Sequence, residues 1–161
     1  MEATATATDR EKRAELRDGL MRYMAGDICT FAFDDINSAC RDTTDASLKL
    51  ISKELYLIHD DLIDHPVSVT QESWEALRRT VAFLATDLQT DTATAQFTWP
   101  FHDEDEWRSH EHLVNDMQIP VYDPVVHSRQ VHPWWDRIPS SLGFAILGCI
   151  VVVILVVLFL L

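Results

Sequence analysis

Apolar residues recur at helical spacing in two long stretches of the chain. From Asp45 onward, steps of three and four residues connect Leu48, Ile51, Leu55, Ile58 and Leu62. After Thr70, the same steps connect Trp74, Leu77, Val81, Leu84 and Leu88. This spacing places the apolar side chains on one face of an α-helix. The sequence therefore predicts two amphipathic helices, joined by a short connection and packed antiparallel, so that each covers the other's apolar face.

Two weaker helices are predicted before this pair. Thr8 and Glu11 have the spacing of a capping box, which predicts that a helix begins there. Its apolar face consists of Leu16, Leu20, Tyr23 and Met24. Thr30 is predicted to cap a second, shorter helix, whose inner face consists of Phe33, Ile36 and Cys40. Together with the strong pair, these helices predict a small bundle of four to five helices.

The periodicity weakens after residue 88, and the remaining chain divides into three parts. Residues 89–118 contain a Thr-rich linker and a short acidic helix that Asp103 is predicted to cap. Residues 119–140 contain four prolines, which predict an extended strap because proline does not continue a regular helix. Residues 141–161 are apolar, and the low-complexity residues 1–8 are expected to be disordered. The predicted fold is therefore mainly α, with the bundle over residues 9–88 and a single C-terminal transmembrane helix.

The apolar C-terminal segment is long enough to cross a bilayer. Residues 142–161 contain no charged side chain. At ~1.5 Å per residue, a helix over 141–161 spans the ~30 Å hydrocarbon core. Trp134, Trp135 and Arg137 precede the segment. Tryptophan is typical of both membrane interfaces, and arginine is typical of the cytoplasmic side. Because no export signal is visible at the N-terminus, we expect a tail-anchored, single-pass membrane protein with a cytoplasmic domain.

Small residues and cysteines add two further expectations. Ser141, Ala145 and Cys149 are four residues apart, a spacing that lets two membrane helices approach closely and form a homodimer. The chain has three cysteines and no CxxC pair, so we expect reduced thiols, as in a cytosolic domain.

The amino-acid composition indicates the kind of partner more clearly than it indicates a catalytic reaction. The formal net charge of −13 argues against nucleic acid, because phosphate binding requires clustered Lys and Arg. An acidic surface instead favours a protein partner with a basic surface, beside the lipid bilayer itself. The sequence contains no P-loop, GxSxG or GxGxxG motif. We therefore expect a non-enzymatic interaction or regulatory module without a cofactor.

The segment His59–His65 supplies an alternative from another functional class. On a helix, Asp60 and Asp64 share a face, and so do Asp61 and His65. Carboxylate and imidazole ligands at this spacing are able to hold a divalent metal. The alternative function is a membrane-bound, metal-dependent hydrolase. The opposing interpretation is a solvated acidic helix end, because apolar residues alternate with the charges as in an ordinary amphipathic helix.

Two other features have alternative interpretations. The run His102–His112 is rich in acids and histidines but lacks the HExxH order of zinc proteases, which favours a solvated helix start. Six large aromatic side chains follow the Thr-rich linker: Trp99, Phe101, Trp107, Tyr122, Trp134 and Trp135. They are expected either to pack back across the bundle or to form an exposed docking surface.

A small helical domain before a single span also resembles membrane-tethered anti-sigma factors. The resemblance implies a regulatory role, but the HxxxCxxC motif of their zinc-binding members does not occur in this sequence.

Overall fold

A computed structural model describes residues 7–56, 64–90 and 98–127, and these residues form helices and no strand. In chain order the helices are α1 (Arg10–Ala25), α2 (Thr30–Ala39), α3 (Ala46–Tyr56), α4 (Gln71–Leu84), α5 (Glu104–His110), α6 (His112–Asp116) and α7 (Pro124–His127). All seven belong to one compact unit that ends at Arg129. The predicted mainly helical bundle is confirmed.

Helix α1 is the central element of the bundle. It packs closely against both α2 and α4, and α2 also packs against α3. The prediction that α3 and α4 form a direct antiparallel pair is wrong, since they are not among the closely packed helix pairs of the described residues. The physical reason is that α1 has a buried apolar stripe of its own, and α4 covers that stripe instead of the stripe of α3.

The predicted apolar faces supply most of the core. The buried side chains of α3 include Leu48, Ile51 and Leu55, and those of α4 include Trp74, Leu77, Val81 and Leu84. In α4 the burial extends all around the last turn, from Thr80 to Leu84. Ile58 and Leu62, which continue the predicted stripe of α3, lie outside the described residues.

The caps of the later helices follow the sequence prediction, but the cap of α1 does not. Thr70 accepts a hydrogen bond from Ser73 N at 3.2 Å, and Asp103 accepts one from Glu106 N at 2.8 Å. The N-cap of α1 is Asp9, not Thr8. Aspartate is at least as good an N-cap as threonine, and its carboxylate is favoured at the positive end of the helix dipole.

The start of α2 also differs from its prediction. Thr30 is the first helical residue, and Cys29 holds the cap position without a side-chain hydrogen bond. The Thr30 hydroxyl instead donates to the carbonyl of His65 at 2.7 Å. A buried hydroxyl needs a partner, and here a tertiary partner replaces the local one.

A glycine lets α1 and α2 approach closely. A Cβ atom at Gly19 would lie 2.8 Å from Ile36 Cγ2, which is too close for a real contact. Gly26 then ends α1 in the left-handed conformation, with φ at +78°, which costs glycine little.

Residues after the Thr-rich linker fold back onto the bundle. Four of the six aromatic side chains are described, and all four are buried or pack against the core: Trp99, Phe101, Trp107 and Tyr122. The predicted single acidic helix is two short helices, α5 and α6. The first part of the predicted extended strap contains the one-turn helix α7, which ends at the buried His127.

No helix in the described ranges is long and apolar enough to cross a membrane. The predicted span at 141–161 lies outside these ranges. The predicted interface residues Trp134, Trp135 and Arg137 and the predicted dimer residues Ser141, Ala145 and Cys149 also lie outside them.

Candidate interaction surface

The described residues of the predicted metal segment attach a loop to α2. Asp64 accepts a hydrogen bond from the backbone N–H of Phe31 at 3.1 Å. The carbonyl of His65 accepts from Thr30 N at 3.0 Å, in addition to the Thr30 hydroxyl. Asp60 and Asp61 lie outside the described residues. Asp64 Oδ1 and the carbonyl of His65 therefore hold the chain against the first turn of α2, while the imidazole Nδ1 of His65 lies 2.6 Å from the carbonyl of Pro66.

The described ranges contain no cluster of three or more His, Cys, Asp or Glu side chains positioned to hold a metal ion. In the run His102–His112, Asp103 caps α5 and Glu106 accepts from His102 N at 2.7 Å. The ring of His110 stacks on Phe101, with centroids 5.6 Å apart. These residues of the run thus cap and pack the short helix α5.

Among the described residues, the most deeply buried charged groups form an ion pair between α1 and the start of α3. The Nε of Arg13 lies 2.6 Å from Asp45 Oδ2, and its Nη2 lies 3.0 Å from Asp45 Oδ1. The remaining terminal nitrogen donates to the carbonyls of Thr86 and Leu88, both at 2.9 Å. The guanidinium also lies 5.5 Å from the ring centroid of Phe83. Arg13 therefore joins α1, the start of α3 and the loop that follows α4.

Asp45 is held in its charged form by its hydrogen bonds. Burial alone would raise the pKa of its carboxyl group. Hydrogen bonds from Arg13 and from the backbone N–H groups of Leu48 and Asp9 outweigh burial and lower the pKa below its ordinary value. Since both oxygens accept two hydrogen bonds each, the carboxylate is a structural anchor with its acceptor capacity largely used.

Trp74 and Val69 hold residues 120–127 of the strap against the domain, and we call their contacts with Pro120 and His127 the clamp. The indole N–H of Trp74 donates to the carbonyl of Pro120 at 3.0 Å, and the indole ring stacks on His127 with centroids 3.9 Å apart. The carbonyl of His127 accepts a hydrogen bond from Val69 N at 3.0 Å. The ring of Tyr122 lies 6.0 Å from that of Trp74. The strap is thus fixed at both ends of residues 120–127.

His127 is neutral in this arrangement. Its Nδ1 accepts a hydrogen bond from the backbone N–H of Asp123 at 2.9 Å, which requires Nδ1 to be unprotonated. Burial lowers the pKa of the imidazole, while the nearby Asp123 carboxylate opposes this effect. His127 therefore closes the turn that contains α7 through its uncharged form.

The clamp leaves three valine side chains in solvent. Val121, Val125 and Val126 are 74%, 72% and 55% exposed, and we call them the valine patch. They are three of the five large apolar side chains that are exposed in the described part of the chain. The Asp123 carboxylate lies within this segment and accepts from Val125 N at 2.8 Å. Clustered exposed apolar side chains mark interaction sites more often than scattered ones do.

Sequence reasoning missed the two features that organise this domain. Arg13 lies three residues before Leu16 and seven before Leu20, in phase with the apolar stripe of α1, and this placement was the available signal of burial. No local pattern indicated the stacking of His127 on Trp74, because the two residues are far apart in the chain.

Comparisons of this chain with protein families, with curated proteins and with solved structures gave no match.

Proposed function

We propose that this chain is a single-pass, membrane-anchored interaction module whose cytoplasmic helical domain binds a protein partner through the valine patch. The observation that carries the proposal is the concentration of Val121, Val125 and Val126 on one short, clamped segment. Because solvated valines gain free energy when they are covered, a partner surface is the natural complement.

The clamp supports recognition because it orders the segment in advance. Hydrogen bonds from Trp74 to Pro120 and from Val69 to His127 hold the backbone on either side of the patch. Binding to an ordered segment avoids the entropy cost of fixing it. A rigid valine surface therefore supports binding more directly than a mobile loop would.

Charge indicates the chemistry of the partner. Asp123 lies inside the segment of the patch, and the whole chain has a formal net charge of −13. An apolar surface flanked by Lys or Arg would complement it, and opposite charges would speed the encounter.

The other parts of the proposal rest on the sequence. Residues 141–161 are the proposed anchor, with Trp134, Trp135 and Arg137 at the membrane interface, and Ser141, Ala145 and Cys149 as the homodimer face. The proposed role is non-enzymatic. It is supported by the sequence, which contains no P-loop, GxSxG or GxGxxG motif.

Photo-cross-linking in intact cells tests the proposal. A photoreactive amino acid is placed in the full chain either at Val125 or, as a control, at Ala39, an exposed position at the end of α2. We expect a discrete protein adduct from position 125 and none of that mass from position 39. The adduct should be lost when Val121→Ser and Val126→Ser are combined, because both changes lie on the surface. An absent adduct at 125, or identical adducts from both positions, would contradict the proposal.

A further inference from the structure

A depression of about 310 Å³ lies between α1 and the C-terminal end of α4. On the side of α1 it is lined by Arg10, Arg13 and Arg17, whose spacing places them on one face of the helix. On the opposite side it is lined by Leu84 and the following residues as far as Asp87. Its volume is at the lower end of the ~300–1,000 Å³ range of ligand pockets.

The lining of this depression is positive in a strongly negative chain. Three arginines face a single carboxylate, that of Asp87, although the formal net charge of the whole chain is −13. Asp45 neutralises Arg13 from the buried side. The outer arginines, Arg10 and Arg17, are paired with Asp87 and Asp18, whose side chains are 53% and 64% exposed, so an external anion can compete for both guanidinium groups without breaking a buried pair.

The two outer arginines differ in how they are occupied. Arg10 is paired with Asp87, with Arg10 Nε 2.8 Å from Asp87 Oδ1 and a second contact from its terminal nitrogen. Arg17 is paired with Asp18, which follows it in the helix and is not part of the lining. The side chain of Arg17 is only 28% exposed, so its guanidinium is held at the depression while its partner lies at the surface.

Arg13 makes the floor of the depression rigid. Its hydrogen bonds to Asp45, Thr86 and Leu88 fix the loop after α4 relative to α1. That loop positions Asp87. The distance between the two walls is therefore set by a buried ion pair and does not depend on a ligand.

We propose that this depression binds a carboxylate-bearing ligand, which takes the place of Asp87 on Arg10 and of Asp18 on Arg17. The planar guanidinium matches a carboxylate through two parallel hydrogen bonds, and Asp87 already makes this contact with Arg10 from within the chain. The carboxylate belongs either to a free small acid or to an acidic peptide segment. This site is separate from the proposed function, because neither the valine patch nor the anchor contributes to it.

An NMR titration of the full chain in uncharged detergent micelles tests the proposal. Sodium succinate is added while sodium chloride keeps the ionic strength constant, and the arginine Nε–H signals are followed. We expect saturable shifts for Arg10 and Arg17 and none for Arg22, which lies on α1 outside the lining. Linear shifts that are the same for all three residues would overturn the proposal.

Matched variants distinguish binding at a specific site from a general effect of net charge. Arg17→Gln should weaken succinate binding about tenfold, the usual order for losing one charge-assisted contact. Arg22→Gln changes the net charge equally and should leave the affinity unchanged. Asp87→Asn should strengthen binding several-fold, because it frees Arg10. Equal weakening by both arginine variants, or no gain from Asp87→Asn, would overturn the proposal. All three side chains are outside the core, and unchanged signals of buried residues verify the fold.

Two further ligands test the source of the carboxylate and the chemical class of the ligand. Tighter binding of a capped Gly-Asp-Gly-Asp peptide than of succinate assigns the site to a protein segment, and the reverse assigns it to a free acid. Sodium phosphate is the contrasting anion. If phosphate binds more tightly than both carboxylates, the proposed ligand class is wrong.

Discussion

Arg13 shows how one buried charge determines the position of several elements. Its side chain is 1% exposed, although arginine is rarely buried without a partner. Asp45 satisfies two of its donors, and the carbonyls of Thr86 and Leu88 satisfy others. A buried guanidinium with fewer partners would pay a desolvation cost that the contacts could not repay. The pair therefore requires the start of α3 and the loop after α4 to take these positions together.

Removing Asp45 should destabilise the domain strongly. Asp45→Ala leaves the buried Arg13 guanidinium without its counter-ion, and the free energy of unfolding should fall by about 3–5 kcal/mol. Chemical denaturation of the full chain at pH 7 measures this change. Asp87→Asn breaks the exposed Arg10–Asp87 pair and is the matched control, with a much smaller expected effect because water screens exposed pairs. Similar losses in both variants would contradict a dominant role for the buried pair.

The same pair predicts how stability changes in acid. The pKa of Asp45 is lowered in the folded state, so its contribution is fully present above its unfolded pKa of about 4. The contribution is lost as the pH falls through the lower, folded pKa. In Asp45→Ala this part of the acid dependence should be absent.

At the scale of elements, the sequence predicted helices better than their partners. Leu48, Ile51 and Leu55 reveal α3 because periodicity is a local property of the chain. Which helix covers which stripe depends on residues far apart, and the close approach of α1 and α2 depends on Gly19 facing Ile36. The pairing of α3 with α4 was therefore predicted wrongly, although both stretches contain a helix. Helix α4 ends at Leu84, before the predicted Leu88, and the predicted extension of α3 beyond Tyr56 lies outside the described residues.

The strap is a second case in which local sequence cannot predict packing, because the packing depends on residues far apart in the chain. Within its described part, residues 119–127, the strap contains the one-turn helix α7, and the docking of this helix depends on Trp74 and Val69 of a distant segment. The exposure of Val121, Val125 and Val126 follows from that docking. The local sequence does not indicate that these valines are exposed, because valine is also common in protein cores.

Replacing His127 should remove part of the pH dependence of the domain. Burial lowers the pKa of His127, so the neutral form contributes stability above the unfolded pKa of about 6.5. This stability is lost as the pH falls from there towards the folded pKa. The wild type should therefore be less stable at pH 5.5 than at 7.5, whereas His127→Asn lacks this share of the difference. The asparagine oxygen can still accept from Asp123 N, but the loss of the Trp74 stack should cost about 1 kcal/mol at pH 7.5.

Denaturation of both proteins at the two pH values measures the effect. His112→Asn, at an exposed position, serves as the control and should keep the wild-type difference. If His127→Asn also keeps the full difference, the titration of His127 does not contribute to the stability of the strap.

At the scale of the whole chain, charge and hydrophobicity are sharply separated. All charged side chains lie before residue 142, and the following residues are uncharged and largely apolar. The described domain buries its own apolar faces, apart from the valine patch and two exposed aromatic side chains. An uncharged, apolar stretch of this length is more typical of a membrane anchor than of a buried core helix, which supports the anchor that we propose.

The proposed anchor predicts both membrane attachment and orientation. Alkaline extraction of membranes should leave the full chain in the membrane fraction, because a span of ~20 apolar residues partitions firmly into the bilayer. Deleting residues 142–161 should release a folded domain, because the described helices and their buried apolar side chains all lie before residue 128. Protease added outside intact cells should leave the domain uncut, because Arg137 next to the span favours a cytoplasmic location for the preceding residues. Membrane retention of the deletion variant would refute the anchor, and cleavage from outside would refute the orientation alone. The two outcomes are independent, so each part of the topology is tested separately.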